Sequence, residues 1–373
     1  MKKIKSFVLI ISINLLLILS ILGLIVTGPI LVKSLHTSTK KITNYRASLS
    51  NYKEFRWAEQ HFREFASLKT EYRDFIAWRR LSFQGETINI DADGIRKTFR
   101  TVATSNDKEF HFFGGSTMWG TGVPDEYTIP SVLSKEYGIK ATNYGESGYI
   151  ARQSLDMLIN IYTDDNVSKS GNTIVFFDGV NDVATLCRYE INKLSTSQET
   201  RLNAIQDSYL SWSYIVLPAI ELTKKLKEKM SGLGITKVDK GEYYNCDSNR
   251  KKAETVAKNL VRTWNMASIL AQENGDNFVA ILQPVSFIGS PNIENLYDTE
   301  FMQNYKLGLD SQFEALYPLI KKYSKELGTF NFLDFSDAYD GEKIVYIDYA
   351  HVSPQGHFLL LNKFDKHKKL FGF

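Results

Sequence analysis

The apolar positions of this chain change spacing along its length. From Ser6 to Val32 no residue is charged and most are Leu, Ile or Val, which suits a helix crossing a bilayer core, a span of about 20 apolar residues. Phe55, Ala58, Phe62, Phe65, Leu68, Tyr72 and Phe75 then recur at steps of three and four, which predicts one face of a helix. Thr87 to Arg96 alternates and turns at Asp93-Gly94, predicting a small hairpin. From Phe110 onward short apolar runs alternate with helical periods. Strands are predicted at 110–113, 139–144, 173–178, 277–282 and 329–335, and helices at 129–137, 150–162, 200–230, 251–273, 301–327 and 354–370. Such alternation predicts an α/β domain, a mostly parallel sheet covered by helices on both faces in three α/β/α layers. Ser231 to Arg250, with glycines, lysines and paired tyrosines, interrupts the alternation as an insertion loop.

Two early segments each carry two readings. The uncharged run is either a membrane anchor or a cleaved signal peptide, whose apolar core is usually about 7 to 15 residues and ends at a small-residue cleavage site. The run is longer than that and Thr27-Gly28-Pro29 is a poor cleavage site, so the anchor is favoured. Lysines at Lys2, Lys3 and Lys5 place the amino terminus inside the cell and the remainder outside the cytoplasm. Residues 33–80 hold eleven Lys or Arg against five Asp or Glu. Their helix either packs back on the catalytic domain, the favoured reading for an aromatic stripe, or lies along anionic lipid or an acidic glycan. The expected organisation is an anchor over 1–32, a helical stalk with hairpin over 33–105, and a catalytic domain over 106–373.

The net charge of +3 over 373 residues gives no basis for nucleic-acid binding, and no arginine-rich groove, zinc spacing or RNP-like motif accompanies it. Six histidines without an HExxH or clustered pair give no metal site, and no cofactor is expected. Asp91 and Asp93 lack the rest of an EF-hand loop, so turn chemistry accounts for them. Cys187 and Cys246 are the only cysteines. Outside the cytoplasm they are expected to pair, tying the insertion beside the site; the alternative is two free thiols.

Candidate chemistry collects where predicted strands end. Gly114-Gly115-Ser116 closes the first strand and presents a serine, a candidate nucleophile that needs a base. Asn143-Tyr144-Gly145-Glu146-Ser147-Gly148 follows the second strand, and Gly148 lets backbone approach a reacting group and donate its N–H. Gly179-Val180-Asn181-Asp182 follows the third, with the Asn181 amide aimed at the same crevice. Asp348-Tyr349-Ala350-His351 precedes the last helix, a spacing that returns a carboxylate to the histidine ring. His357 reads as a packing or surface residue. Gln283-Pro284 ends the fourth strand and either lines a pocket or only stops the strand.

These four blocks, in this order, resemble those of the SGNH (GDSL-like) hydrolases over roughly residues 106–373. The resemblance implies a flavodoxin-like α/β/α fold, Ser116 as nucleophile, His351 as general base and Asp348 as its orienting acid. It also implies an oxyanion hole made of the Ser116 and Gly148 N–H groups and the Asn181 side chain. Gly115 stands where the family usually has aspartate. The expected activity is that of a serine esterase on acyl esters, acetyl above all, of an envelope or surface polysaccharide or a small ester. The alternatives are O-acetyl transfer to a glycan hydroxyl, and a non-catalytic, membrane-tethered glycan-binding scaffold. Proteins of envelope polysaccharide assembly are the expected partners.

Overall fold

Five strands carry the architecture, and the inner three are buried on both faces along nearly their whole length. In the computed structural model, which describes Ser20 and residues 45–99, 108–164, 170–191, 243–297, 308–341 and 343–373, the sheet is built from β5 (Glu109–Gly114), β6 (Lys140–Asn143), β7 (Thr173–Asp178), β8 (Asn277–Leu282) and β9 (Asn331–Asp334). Four two-residue strands precede them: β1 (Thr70–Glu71), β2 (Arg79–Arg80), β3 (Phe83–Gln84) and β4 (Asn89–Ile90). The five long strands are mutually parallel in the order β6-β5-β7-β8-β9. The order reverses between β5 and β7, and in open α/β sheets the crevice at such a switch point, beyond the strands' carboxyl ends, receives ligands.

The period of two divides the core. Phe113, Ile174, Phe176, Phe278, Ala280 and Leu282 point to one face, against α4 (Ala151–Tyr162), α5 (Val180–Leu186), α6 (Arg250–Glu273) and α7 (Leu309–Leu327). Phe110, Phe112, Val175, Phe177, Val279 and Ile281 point to the other, against α3 (Ile129–Tyr137), α8 (Pro354–Lys366) and α9 (Lys368–Phe371). Every residue of β7 is buried, which explains why its sequence reads as one apolar run rather than an alternation. The helices start where their sequences provide a start: Thr128 caps α3 by accepting from Ser131 N, and Pro354 occupies the first turn of α8, where no N–H is needed.

The strands match those expected to within three residues, and α3, α4 and α6 to within one. The long carboxyl-terminal helix is broken at His367 into α8 and α9. The expected anchor, the helix at 200–230, the start of the 301–327 helix and most of the insertion lie outside the described residues. Among the described residues no helix is long and apolar enough to cross a membrane.

The region expected to be a stalk differs most. The helix spanning Phe55 to Phe75 is only α1, Ala58–Ser67, and the chain then turns into the antiparallel pair β1–β2, leaving Tyr72 and Phe75 exposed. Tertiary bonds override the helical period here. Glu64 is buried and accepts from the backbone N–H groups of Glu86, Thr87 and Ile88, fixing the β3–β4 turn onto α1. Arg80, held extended, donates its N–H to Glu146 beside the sheet. Residues 45–96 therefore belong to the same compact unit as the sheet, and the expected boundary near residue 105 separates sequence features rather than bodies. Asp91 accepts from Asp93 and Ile95 N–H, an ordinary turn.

Cys187, at the end of α5, is disulfide-bonded to Cys246, just before α6, across a sequence separation of 59. Closing a loop of that length removes unfolded-state entropy worth about 4 kcal/mol. The Cys187→Ala/Cys246→Ala protein should lose roughly that much in chemical denaturation, and the denatured, unreduced wild type should show no reactive thiol. Two reactive thiols there would contradict the bond.

Candidate active site

The glycine pair before Ser116 is required by its neighbours. A side chain on Gly114 would place its Cβ 2.4 Å from the Phe177 carbonyl oxygen of β7, and one on Gly115 would come 2.2 Å from Asn181 Nδ2. With neither present, the chain leaves β5 directly into α2 (Ser116–Trp119) and Ser116 stands half-exposed at the sheet's carboxyl edge. His351 arrives from the loop between β9 and α8. That loop is closed by the Ile347 N–H to the His351 carbonyl (2.9 Å) and by an antiparallel bridge between Tyr346 and Val352.

The two ends meet. His351 Nε2 lies 2.6 Å from Ser116 Oγ, and its Nδ1 lies 2.8 and 2.7 Å from the two Asp348 oxygens. Asp348 has no exposure and its Oδ1 accepts from the Ala350 and His351 N–H groups at 3.0 and 2.8 Å. Its Oδ2 is also 2.9 Å from Arg46 Nη2. Burial by itself would raise the Asp348 pKa, but the adjoining His351 ring, the Arg46 guanidinium and the Ala350 N–H hold it well below the usual carboxylate range. Such a carboxylate selects the Nδ1–H tautomer, leaving Nε2 free to accept the serine proton.

Of the sequence-predicted donors, Asn181 lies against the glycine that precedes the serine, and Gly148 lies in the loop that leads to Tyr149. Asn181, in the first turn of α5, donates Nδ2 to the Tyr149 carbonyl at 2.8 Å and packs against Gly115. Gly148 is exposed with φ of 80°, a conformation that glycine adopts without strain. Among the described residues neither the Ser116 nor the Gly148 N–H has a partner. The Trp78 indole borders Gly148, 3.3 Å from where a Cβ would sit, and donates to the Ser147 carbonyl at 3.0 Å. The Ser116 hydroxyl bonded to an imidazole, with the Ser116 N–H and the second hydrogen of the Asn181 amide beside it, has the components that nucleophilic acyl transfer needs.

Other candidates fall elsewhere. His357 is buried and bonds the Tyr127 carbonyl through Nδ1 at 2.6 Å; burial pushes its pKa down to about 4. Gln283 is buried behind the serine rather than lining a pocket. Its Nε2 donates to Thr117 Oγ1 at 3.2 Å, and that hydroxyl faces the Ala350 carbonyl, so the nucleophile's turn and the histidine's loop are joined from behind. Among the described residues no cluster of three His, Cys, Asp or Glu side chains is placed to hold a metal ion.

Sequence reasoning missed Arg46, Trp78 and the Arg80–Glu146 pair. The one signal for the arginines was the basic density of residues 33–80, where the expected packing onto the catalytic domain rests on the aromatic stripe and not on the charges. Arg79 and Arg80 are instead buried, with Arg80 paired to Glu146 and lying over the Trp119 ring at 3.9 Å, while Arg96 covers the same ring at 4.2 Å.

No family model and no curated protein matches this chain. Among solved structures it is similar to a member of the lipolytic protein G-D-S-L family from Veillonella parvula, at 17% identity over 69% of this chain and 97% of that one, TM-score 0.38. It is also similar to a GDSL-like lipase from Bacteroides thetaiotaomicron, at 12% identity over 72% and 91%, TM-score 0.36. A third is a catalytic mutant of an acetylxylan esterase from Geobacillus stearothermophilus, at 14% identity over 73% and 97%, TM-score 0.37.

Beneath Asn181 lies a buried acidic pair. Burial and the neighbouring Asp182 raise the pKa of Asp178, and burial lifts Asp182 to about 7 even though it accepts from the Ala151 N–H. A carboxyl whose folded pKa lies above its unfolded value binds its proton more tightly when folded. The pair's contribution to stability is therefore fully present below about pH 4 and is lost as pH rises towards 7, by up to about 1.4 kcal/mol per pH unit for each proton. Asp182→Asn should flatten this slope between pH 5 and 7 in urea titrations; an unchanged slope would show that the pair is not the source.

Proposed function

We propose that this chain is an SGNH-type serine hydrolase acting on acyl esters, in particular acetyl esters of an envelope or surface polysaccharide, and that Ser6–Val32 tethers it to the membrane with its catalytic unit outside the cytoplasm. The observation that carries this reading is the unbroken hydrogen-bond chain from Ser116 through His351 to a buried, ionised Asp348. A binding module has no use for a nucleophile, base and acid in that relation. The location outside the cytoplasm is supported by the uncharged amino-terminal run and by the disulfide, since such bonds persist in oxidising compartments.

In the first step Ser116 Oγ adds to the ester carbonyl as its proton passes to His351 Nε2. Asp348 stabilises the imidazolium, and the Ser116 N–H, the Gly148 N–H and the Asn181 amide receive the oxyanion. The intermediate collapses with loss of the alcohol, which takes the proton back from His351. Water then attacks the acyl-serine with His351 again as base, and as the bond to Ser116 Oγ breaks His351 returns the proton to that oxygen and the acid leaves. The half-exposed Trp78 beside Gly148 supplies an apolar wall where the substrate enters.

Nitrophenyl acetate hydrolysis tests the reading. Ser116→Ala should lose at least about 10³-fold in kcat, and Asn181→Ala about 10²- to 10³-fold, the range seen when one oxyanion donor is removed, with unfolding midpoints near wild type. A fluorophosphonate should label Ser116. Wild-type turnover by Ser116→Ala, or no labelling at any pH, would leave the scaffold reading in its place.

A further inference from the structure

A carboxylate oriented by its own loop is sufficient for a serine–histidine–aspartate arrangement, yet here a second cation reaches it. Arg46 belongs to a single turn, Tyr45–Ser48, that precedes α1 by sequence and lies against the loop bearing Asp348. The contact is built rather than incidental. Asn51 donates Nδ2 to the Val345 and Tyr346 carbonyls at 3.2 and 3.1 Å, and the Tyr52 hydroxyl donates to the Gly122 carbonyl at 2.6 Å. Leu49, Tyr52 and Phe62 bury Ile347 between them. The Arg46 side chain retains 15% exposure and Asp348 none.

Asp348 Oδ2 is consequently shared: His351 Nδ1 stands 2.7 Å from it and Arg46 Nη2 2.9 Å. Two cations drawing on one carboxylate weaken each other's hold. When His351 takes the serine proton, it faces a carboxylate whose charge is already partly answered by the guanidinium. Among the described residues, the other groups facing the pair are Tyr45 and Tyr52 on the amino-terminal turns, Tyr346 on the loop and His357 on α8. Burial raises the Tyr52 and Tyr346 pKa values and pushes His357 down to about 4, so among these groups Arg46 carries the full positive charge.

We propose that Arg46 is a positioning residue for the catalytic acid, and that it sets the pH below which His351 ceases to act as base, so that the reactive site depends on a segment lying before the sheet. The inference rests on the acyl-transfer reading above. It predicts that removing the guanidinium strengthens the aspartate–imidazolium pair and moves loss of activity to higher pH.

The test uses the full-length chain. For Arg46→Gln, the acidic limb of kcat/KM against pH for nitrophenyl acetate is expected about half a unit to one unit above wild type, the scale of a nearby-charge effect, with a lower kcat at the optimum. Arg46→Lys, which retains the charge, should keep its limb near wild type, and Arg46→Met is a second uncharged variant should the glutamine fail to fold. NMR titration of the His351 ring, identified by comparison with His351→Gln, reads the same displacement without turnover. An uncharged variant whose limb and ring titration superimpose on wild type overturns the proposal, as does a lysine variant that moves as far as the glutamine. A wild type that cleaves no ester while its ring titration still moves would instead overturn the esterase reading and leave the role of Arg46 standing.

Discussion

The site depends on the burial of one negative charge. A carboxylate removed from water costs several kcal/mol unless its charge and lone pairs are met, and Asp348 is met on every side. Its own loop returns to offer two N–H groups to Oδ1 and an imidazole to both oxygens, and the turn at Tyr45–Ser48 brings a guanidinium to Oδ2 beside the imidazole. Each partner constrains the chain. The loop must double back within three residues for the His351 N–H and ring to reach one carboxylate, and the turn must stay pinned to that loop by Asn51. Because removing one partner from a buried pair commonly costs about 3–5 kcal/mol, the arrangement is held as a unit.

The opposite wall of the site follows the same rule, with a second buried carboxylate met by a second arginine. Glu146 is buried in the loop that presents Gly148, where it accepts from the Arg80 N–H, the Arg80 guanidinium and the Ser147 N–H, and gives its own N–H to Gly114. Arg80 and Arg96 lie over the Trp119 ring at the end of the helix that begins with Ser116. Arginines suit this use because the planar guanidinium both forks onto carboxylates and stacks on aromatic rings. Segment 45–96 therefore acts as internal counter-charge to the two acidic loops flanking the nucleophile.

The sheet was legible because a strand covered on both faces must be apolar throughout, and β7 and β8 are bounded as their apolar runs are. Ser116 and Asn181 were legible for a related reason, since each sits just past the end of such a run, whereas Asp348 and His351 were legible from their own spacing in the loop before the last helix. The amino-terminal region was not. Phe55 to Phe75 has helical spacing, but the bonds that decide its path run from Glu64 to the 86–88 turn and from Arg80 to Glu146, contacts that no local period encodes. Basic density in that region reports charge, and charge alone does not say whether its counter-charge is solvent, lipid or a buried carboxylate. The hidden role of Gln283 has the same origin, since its partner Thr117 lies 166 residues away.

Two adjacent side chains on α5 finish the site. Helix geometry turns Asn181 and Asp182 about 100° apart, and both bond the same short stretch: Asn181 holds the Tyr149 carbonyl and Asp182 receives the Ala151 N–H. The loop carrying Gly148 is thus fixed at both its carbonyl and its amide by one turn of helix. The cost is a buried carboxyl at 182 next to another at 178, each raised by burial. Two apolar residues there would relieve that burial cost, but neither would accept the Ala151 N–H. The pair therefore reads as stability given up for a backbone donor held in place before substrate arrives, the condition under which an oxyanion hole contributes most.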